Sequence, residues 1–446
     1  MRFPDISALY SLFRESPVVT TDSRKASAGI IFFALKGDIF NGNRFAESAL
    51  KQGCSCVVVD EEEYYRPPSG KAQGLYILVK DCLASLQELA KYHRSQLKIP
   101  FIAITGSNGK TTTKEFVKKI LSKKYKVLAT AGNLNNHIGV PLTILSITSD
   151  IEIAIIEIGA NHLGEIAMLC EMAQPDYGII TNIGKAHVGE FGSFEAIVKA
   201  KTEMYRFLRQ KKGKVFINSA DALLLENAAD IEQITYGTPT ATGAEKNFCC
   251  CQLAEANPFL KIKYDNEVIA SHLIGKYNFE NLTASICIGK YFGVETKKIK
   301  EAIEEYIPSN NRSQMIQTSK NRLVLDAYNA NPSSMSAAIE NFYEMEGENK
   351  WLILGDMLEL GDYELQEHKN ILQLLIEKKI QNIILVGSVF SKAMSEIKKN
   401  SLSPLLFKNS DELVNRLKSE PLSINPSLIL IKGSRGIKLE KAVEYL

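Results

Sequence analysis

The densest chemistry-bearing run in the sequence is Thr105-Gly-Ser-Asn-Gly-Lys-Thr-Thr112. Gly106 and Gly109 let the backbone turn tightly and aim its N–H groups at one anion. Lys110 can reach the β- and γ-phosphates of a nucleotide, and the Thr111 hydroxyl suits the Mg²⁺ they carry. The loop is two residues shorter than the usual Walker A pattern. Gly-Lys-Thr alone would leave an ordinary Gly-rich turn as a competitor. A strand-like segment before it (99–105) and a helical pattern after it (111–123) make nucleotide binding the stronger expectation. The loop by itself does not separate kinase from ATPase from ligase.

Four polar clusters follow it: Gly132-Asn-Leu-Asn-Asn136, Glu157-Ile-Gly-Ala-Asn161, Thr181-Asn-Ile-Gly-Lys-Ala-His187 and Ala200-Lys201-Thr202. All four read as strand ends, and in open α/β sheets ligands sit beyond the carboxyl ends of the strands. Glu157 supplies a hard oxygen for Mg²⁺. His187 is a less usual ligand for that ion and on its own reads better as a loop-satisfying residue. Glu152 has the same type as Glu157 and competes with it.

The elements that must carry these residues read as α/β. After residue 313, strand-like runs at 323–325, 351–354, 382–386, 405–407 and 428–431 alternate with helical patterns at 333–344, 364–378, 391–399 and 411–418. That alternation means βαβ crossovers and a mainly parallel, Rossmann-like sheet. Residues 151–158 and 177–181 read as buried parallel strands of the same kind. In the helix after the phosphate loop, Phe116, Val117, Ile120 and Leu121 share one face, with Lys114, Lys118 and Lys119 expected largely off it. Strand-like runs at 29–34 and 56–60, with a helix between, suggest a smaller mixed α/β unit at the front. Changes of character near 98 and 313 predict three domains, 1–98, 99–313 and 314–446.

The composition narrows the function classes. Lys+Arg total 53 against 51 Asp+Glu, a net charge of +2 in 446 residues, which argues against broad attraction to nucleic acid or membrane surfaces. No apolar run approaches the roughly 18 residues of a membrane span. Pro4 and Asp5 stand where a signal peptide would start its apolar core, so a cytoplasmic chain is expected. The eight cysteines, including Cys54-x-Cys56 and Cys249-Cys250-Cys251, lack zinc or disulfide-scaffold spacing and read as reduced thiols in strands and cores. His93, His162 and His272 are too scattered for a zinc site, and His368 reads as a solvated or satisfied helix residue. Phe32 and Phe33 read as core.

Taken together, the motifs resemble the Mur ligases, ATP-dependent amide-forming enzymes of peptidoglycan synthesis. The resemblance covers essentially the whole chain. Beside the clusters above it rests on Gly132-Asn-Leu-Asn-Asn-His-Ile-Gly-Val-Pro-Leu-Thr143, Lys276-Tyr-Asn-Phe-Glu-Asn281, Asp326-Ala-Tyr-Asn-Ala-Asn-Pro332, Leu354-Gly-Asp-Met-Leu-Glu-Leu-Gly361 and Lys432-Gly-Ser-Arg435. It implies an N-terminal domain for a UDP moiety, a central ATPase and a C-terminal Rossmann-like domain. The 132–143, 326–332 and 354–361 segments point to the branch that joins D-Ala-D-Ala to UDP-MurNAc-tripeptide.

The resemblance also implies roles. Thr105, Gly106, Ser107, Asn108, Gly109, Lys110, Thr111 and Thr112 would hold the ATP phosphates. Thr111, Glu157 and His187 would serve two Mg²⁺ sites. Lys201 matches a lysine carbamylated in many members, which turns a cation into an anionic metal ligand; Lys199 is a competing candidate. Asn278 and Asn281 would lie near the adenine, and Arg312 and Asp326 would close on the nucleotide. Ser23 and Arg24 resemble a uridine-nucleotide contact; Asn133, Asn135, Asn329, Asn331 and Arg435 are substrate candidates. A monomer is the default expectation. Asn41-Gly-Asn-Arg-Phe45 and His137 depart from the family pattern. Competing readings are a Mur ligase adding a single amino acid, a folylpolyglutamate synthase, and a nucleotide-gated regulatory module. Against the first, no Asp-Asn-Pro-Arg segment occurs.

Overall fold

A computed structural model describes residues 1–67, 74–185, 188–239, 247–309, 311–397, 402–419 and 426–446. It is α/β throughout and falls into three units. The first carries a four-stranded parallel sheet ordered Val19–Thr20, Ile31–Phe33, Cys56–Val59, Leu75–Leu78. Phe32 and Phe33 are buried in it, as their apolar run predicts.

The central unit is built on seven parallel strands. In spatial order they are Cys249–Cys250, Glu232–Gly237, Lys214–Asn218, Tyr177–Ile180, Phe101–Thr105, Ile153–Glu157 and Val127–Ala129. Alternate residues pack on opposite faces: Ile102, Ile104, Ile153 and Ile155 on one, Phe101, Ala103, Ala154 and Ile156 on the other. Both faces are covered, which is why Phe101–Thr105, Ile153–Glu157 and Tyr177–Ile180 read as near-continuous apolar runs, whereas Glu232–Gly237 does not. A three-stranded antiparallel sheet, Gln252–Glu255, Phe259–Tyr264 and Glu267–Ile274, is appended to this unit.

The third unit has six strands ordered Gln314–Gln317, Arg322–Asp326, Leu428–Lys432, Lys350–Gly355, Ile383–Val386, Leu405–Phe407. All pair in parallel except the first. These five parallel strands and the helices Pro332–Glu344, Glu364–Glu377, Ser388–Ser395 and Ser410–Ser419 fall where the alternating pattern puts them.

The units are closely joined. In the last turn of helix Cys82–Gln96, the Arg94 guanidinium donates to the carbonyls of Ala173 (2.9 Å) and Gln174 (2.8 Å) and to the Asp176 carboxylate (3.2 Å). It also lies 3.8 Å above the Phe101 ring. One buried apolar cluster runs from Leu9 and Phe13 through Val140, Ile156 and Met204 to Leu354 and Leu430. Among the described residues, no helix is long and apolar enough to cross a membrane.

Candidate active site

The phosphate loop joins the central strand Phe101–Thr105 to helix Lys110–Leu121. Gly106 and Gly109 both have positive φ (142° and 80°), which favours glycine. A Cβ at Gly106 would collide with Thr181 Oγ1, and one at Gly109 with the Asn281 amide. The loop is clamped from the neighbouring strand end. Asn108 N donates to Asn182 Oδ1 (3.0 Å), and Thr181 Oγ1 donates to the Asn108 carbonyl (2.6 Å). Lys110 Nζ folds over the loop onto the carbonyls of Gly106 (2.6 Å) and Ser107 (3.3 Å). Burial lowers its pKa to about 8, against the pull of Glu157.

Glu157, at the end of its strand, is 1% exposed. Its carboxylate accepts from Thr111 Oγ1 (3.0 and 3.1 Å) and Asn135 Nδ2 (2.8 Å), with Lys114 Nζ at 3.5 Å. The competitor Glu152 is exposed and accepts only at the margin, from Lys126 N. Lys114 was expected off the buried face. Instead it is 0% exposed, because its ammonium reaches past the helix to the carbonyls of Thr130 (2.7 Å) and Gly132 (3.2 Å). Those contacts satisfy a charge that apolar periodicity alone would put in water.

Lys201 closes helix Phe194–Lys201 and is buried, whereas Lys199 is exposed. Burial, and next the Lys110 charge, lower the Lys201 pKa to about 7. His187 lies outside the described residues.

The facing wall comes from the end of the central unit and from the C-terminal unit. The Arg312 guanidinium lies 3.7 Å over the Tyr328 ring, and its Nε is buried without a hydrogen-bond partner. Asp326 and Lys432 are paired in register at adjacent strand ends and form an ion pair at 2.5 Å. Asp326 also accepts from Ser313 N (3.2 Å). Asn278 and Asn281 open the helix Asn278–Tyr291; Asn281 Nδ2 donates to Asn278 Oδ1 (3.0 Å), and Asn278 Nδ2 to the Ile274 carbonyl (2.8 Å).

One cavity of about 870 Å³ brings together Ser107, Asn108, Gly109, Lys110, Thr111, Thr112, Asn133, Asn135, Glu157, Asn278, Asn281, Arg312, Asp326, Asn329, Asn331 and Lys432. An adjoining cavity of about 820 Å³ shares Thr111, Asn133, Arg312 and Tyr328 and adds Arg435. Arg435 Nη1 lies 3.4 Å from the Tyr328 hydroxyl. Thr105 and Gly106 lie beneath the loop. Lys201 and the pair Ser23 and Arg24 line neither cavity. Arg24 is exposed in the first unit and pairs with Asp22 (2.8 Å).

Three family models match the chain. They are the Mur ligase family, catalytic domain (residues 17–94), the Mur ligase middle domain (104–289) and the Mur ligase, glutamate ligase domain (311–435). The UDP-N-acetylmuramoyl-tripeptide–D-alanyl-D-alanine ligase of Bacillus subtilis (strain 168) is 37% identical over 434 residues, covering 96% of this chain and 92% of the relative. The chain belongs to the Mur ligase family. The ligase of the same description from Escherichia coli (strain K12) is 32% identical, covering 96% and 93%. A crystal structure of MurF from Acinetobacter baumannii superposes with a TM-score of 0.82 at 30% identity, covering 97% of each chain. MurF from Thermotoga maritima in complex with ADP shares the fold, with a TM-score of 0.79 at 23% identity over 99% and 98% of the two chains.

Of the departures from the Mur ligase pattern, Asn43 has a structural explanation and His137 has none. Asn43 is fully buried: its amide donates to Asn41 Oδ1 (3.0 Å) and Asp60 Oδ1 (2.9 Å), and its Oδ1 accepts from Asp60 N (3.1 Å). It serves the first unit's interior. His137 lines the larger cavity, and its carbonyl accepts from Gln87 Nε2 (2.9 Å). His368 is the satisfied core histidine of this Mur ligase: Nε2 accepts from Met357 N (3.0 Å), and Nδ1 meets the Glu364 carbonyl (2.7 Å). All eight cysteines carry free thiols, and seven of them are buried. Residues that sequence reasoning missed are Lys114, Tyr328 and the role of Lys432 as the partner of Asp326. Lys432 and Tyr328 had a signal, their places in Lys432-Gly-Ser-Arg435 and Asp326-Ala-Tyr-Asn-Ala-Asn-Pro332; Lys114 had none.

Proposed function

We propose that this chain joins D-alanyl-D-alanine to UDP-N-acetylmuramoyl-tripeptide with ATP, releasing ADP and phosphate. The observation that carries the reading is the larger cavity. A phosphate loop and a buried carboxylate face, across one space, the cation Arg312 and the Asp326–Lys432 pair of another unit. The full-length likeness to ligases of that description supports the substrate assignment.

The chemistry follows from the substrates. A carboxylate is a poor acyl donor because its leaving group would be oxide. Transfer of the ATP γ-phosphoryl group to the tripeptide's terminal carboxylate makes an acyl phosphate, whose leaving group is phosphate. The amine of D-Ala-D-Ala then attacks the carbonyl, and the tetrahedral intermediate expels phosphate. The protein's part is positioning and charge neutralisation. In this reading Lys110 and the amides of the phosphate loop hold the phosphates. Arg312 offers its guanidinium to the anionic groups meeting there, fixed against Tyr328. Asn278, Asn281 and Asp326 hold the nucleoside end. Asn133, Asn135, Asn329 and Arg435 border the space left for the peptide, and Ser23 and Arg24 bind the uridine nucleotide on the first unit.

The donor set beside the loop fits Mg²⁺: a buried carboxylate (Glu157) with a hydroxyl (Thr111) and an amide (Asn135) each within hydrogen-bonding reach of it. Thr111, Glu157 and His187, with Lys201 as a carbamate, would hold the two ions. When bound, magnesium neutralises the phosphate oxygens. A buried Lys201 with a pKa near 7 is an uncharged amine in about half of the molecules at neutral pH, the form that combines with CO₂.

We place the domain limits near 98 and 313 and the working enzyme in the cytoplasm as a monomer. A phosphate-release assay tests the function, with UDP-MurNAc-tripeptide carrying meso-diaminopimelate or L-lysine and with D-Ala-D-Ala. Release should require all substrates together. Equal release without the tripeptide and dipeptide would overturn the ligase reading and favour a regulatory ATPase.

A further inference from the structure

The phosphate loop and the C-terminal unit meet through a side-chain pair far apart in sequence. Asn331 Nδ2 donates to Asn108 Oδ1 at 2.8 Å, across 223 residues. Asn331 is also the N-cap of helix Pro332–Glu344. Its Oδ1 accepts from Ser334 N (2.9 Å), and Ser334 Oγ accepts from Asn331 N (3.1 Å). The cap occupies the oxygen of the side chain and leaves the NH₂ to face the loop. Ser, Thr, Asp and Asn all cap well. Among them, asparagine alone carries an acceptor for the cap and a separate donor on the same planar group.

Asn108 is held just as firmly. Its N–H donates to Asn182 Oδ1, and its carbonyl accepts from Thr181 Oγ1 and Asn182 Nδ2 (3.0 Å). Its side chain therefore projects from a fixed frame. Two residues beyond Asn331 the same seam continues, where Lys185 N donates to Ser333 Oγ (3.3 Å).

We propose that Asn108 and Asn331 form a closure latch. They are positioning residues that dock the C-terminal unit onto the phosphate loop, so that loop shape and domain closure are coupled. The inference rests on the ligase reading above. It assigns Asn331 a task distinct from direct contact with the dipeptide. A protein hydrogen bond of ordinary net strength shifts the closed population by roughly fivefold.

The test uses the full chain with ATP, UDP-MurNAc-tripeptide and D-Ala-D-Ala. Asn331→Ser keeps a good helix cap but cannot reach Asn108, and Asn108→Ala removes the acceptor. Each should raise KM for D-Ala-D-Ala about fivefold, because closure is lost as a binding term. The unfolding midpoint should not move, and ADP affinity should fall as closure weakens. The double variant should be no worse than either single one. Multiplied losses in the double variant overturn the latch. So does a lowered midpoint with reduced kcat and unchanged KM, which marks a helix cap only. If the wild type turns over and neither variant shifts KM, the latch falls and the ligase reading stands. If the wild type does not turn over, the ligase reading fails. Small-angle scattering then decides the latch: ADP should compact the wild type and compact both variants less, and equal compaction refutes it.

Discussion

At Lys201, a pKa near 7 inside the protein stands against about 10.5 in the unfolded chain. Between those values the unfolded state binds more protons, so this group makes stability rise with pH from about 7 to about 10.5. Below 7 its full penalty is present. Lys201→Met should flatten that slope in CO₂-free buffer, read from unfolding midpoints at pH 7 and 9.5; an unchanged slope contradicts the depressed value. Lys201→Ala should inactivate the enzyme, with partial rescue by short carboxylic acids, while the exposed Lys199→Ala stays near wild type. Rescue at 199 instead would move the carbamate there. Lys110→Ala should cut turnover by about 10³-fold with far-UV circular dichroism unchanged, since the positively charged group facing the phosphates is gone. Retained activity would refute the loop assignment. Sequence named Lys201 with Lys199, and Glu157 with Glu152, but could not choose within either pair on residue type. What separates each pair is depth: in both, one member is buried at the end of its element and the other is exposed.

At the level of elements, Lys114 ties helix Lys110–Leu121 to two strand ends through Thr130, Gly132 and Glu157. Lys114→Ala leaves a buried carboxylate short of its cation and two carbonyls without a donor. Removing one partner of a buried pair costs about 3–5 kcal/mol, which urea unfolding should show. A loss under ~1 kcal/mol would mean that water or a relaxed helix replaces the ammonium. The parallel strands at 101–105, 153–157 and 177–180 were legible because both faces are buried and each reads as an apolar run; Val127–Ala129, Lys214–Asn218 and Glu232–Gly237 were not read from the sequence. The antiparallel strands from Gln252 to Ile274 were not. Gln252–Glu255 is exposed throughout, and Glu267–Ile274 buries only part of its length, so neither offers a continuous signal. Lys114 was illegible for a related reason: a helical wheel ranks residues by polarity, and this lysine's partners arrive from other elements.

For the whole molecule, the character change near residue 98 does not correspond to a loose joint. Arg94 stitches the first unit to the carbonyls of Ala173 and Gln174. Arg94→Ala should lower stability by about 3 kcal/mol in urea unfolding while ADP affinity at the phosphate loop is kept. A change below ~0.5 kcal/mol would show that the shared apolar core alone holds the units. Motion is therefore expected about residue 313 rather than 98. The number and type of units were readable from alternating patterns, but how they sit together was not. The Asn108–Asn331 and Arg94 contacts each depend on side chains that meet only after folding. The strand order of the third unit has a consequence during synthesis. Leu428–Lys432 occupies the slot between Arg322–Asp326 and Lys350–Gly355, yet it is made after both. Until it emerges from the ribosome, two half-sheets wait with unpaired edges facing each other, the situation in which nascent chains need shielding from aggregation. The same strand delivers Lys432 to Asp326, so the nucleotide pocket is completed only when the half-sheets are joined.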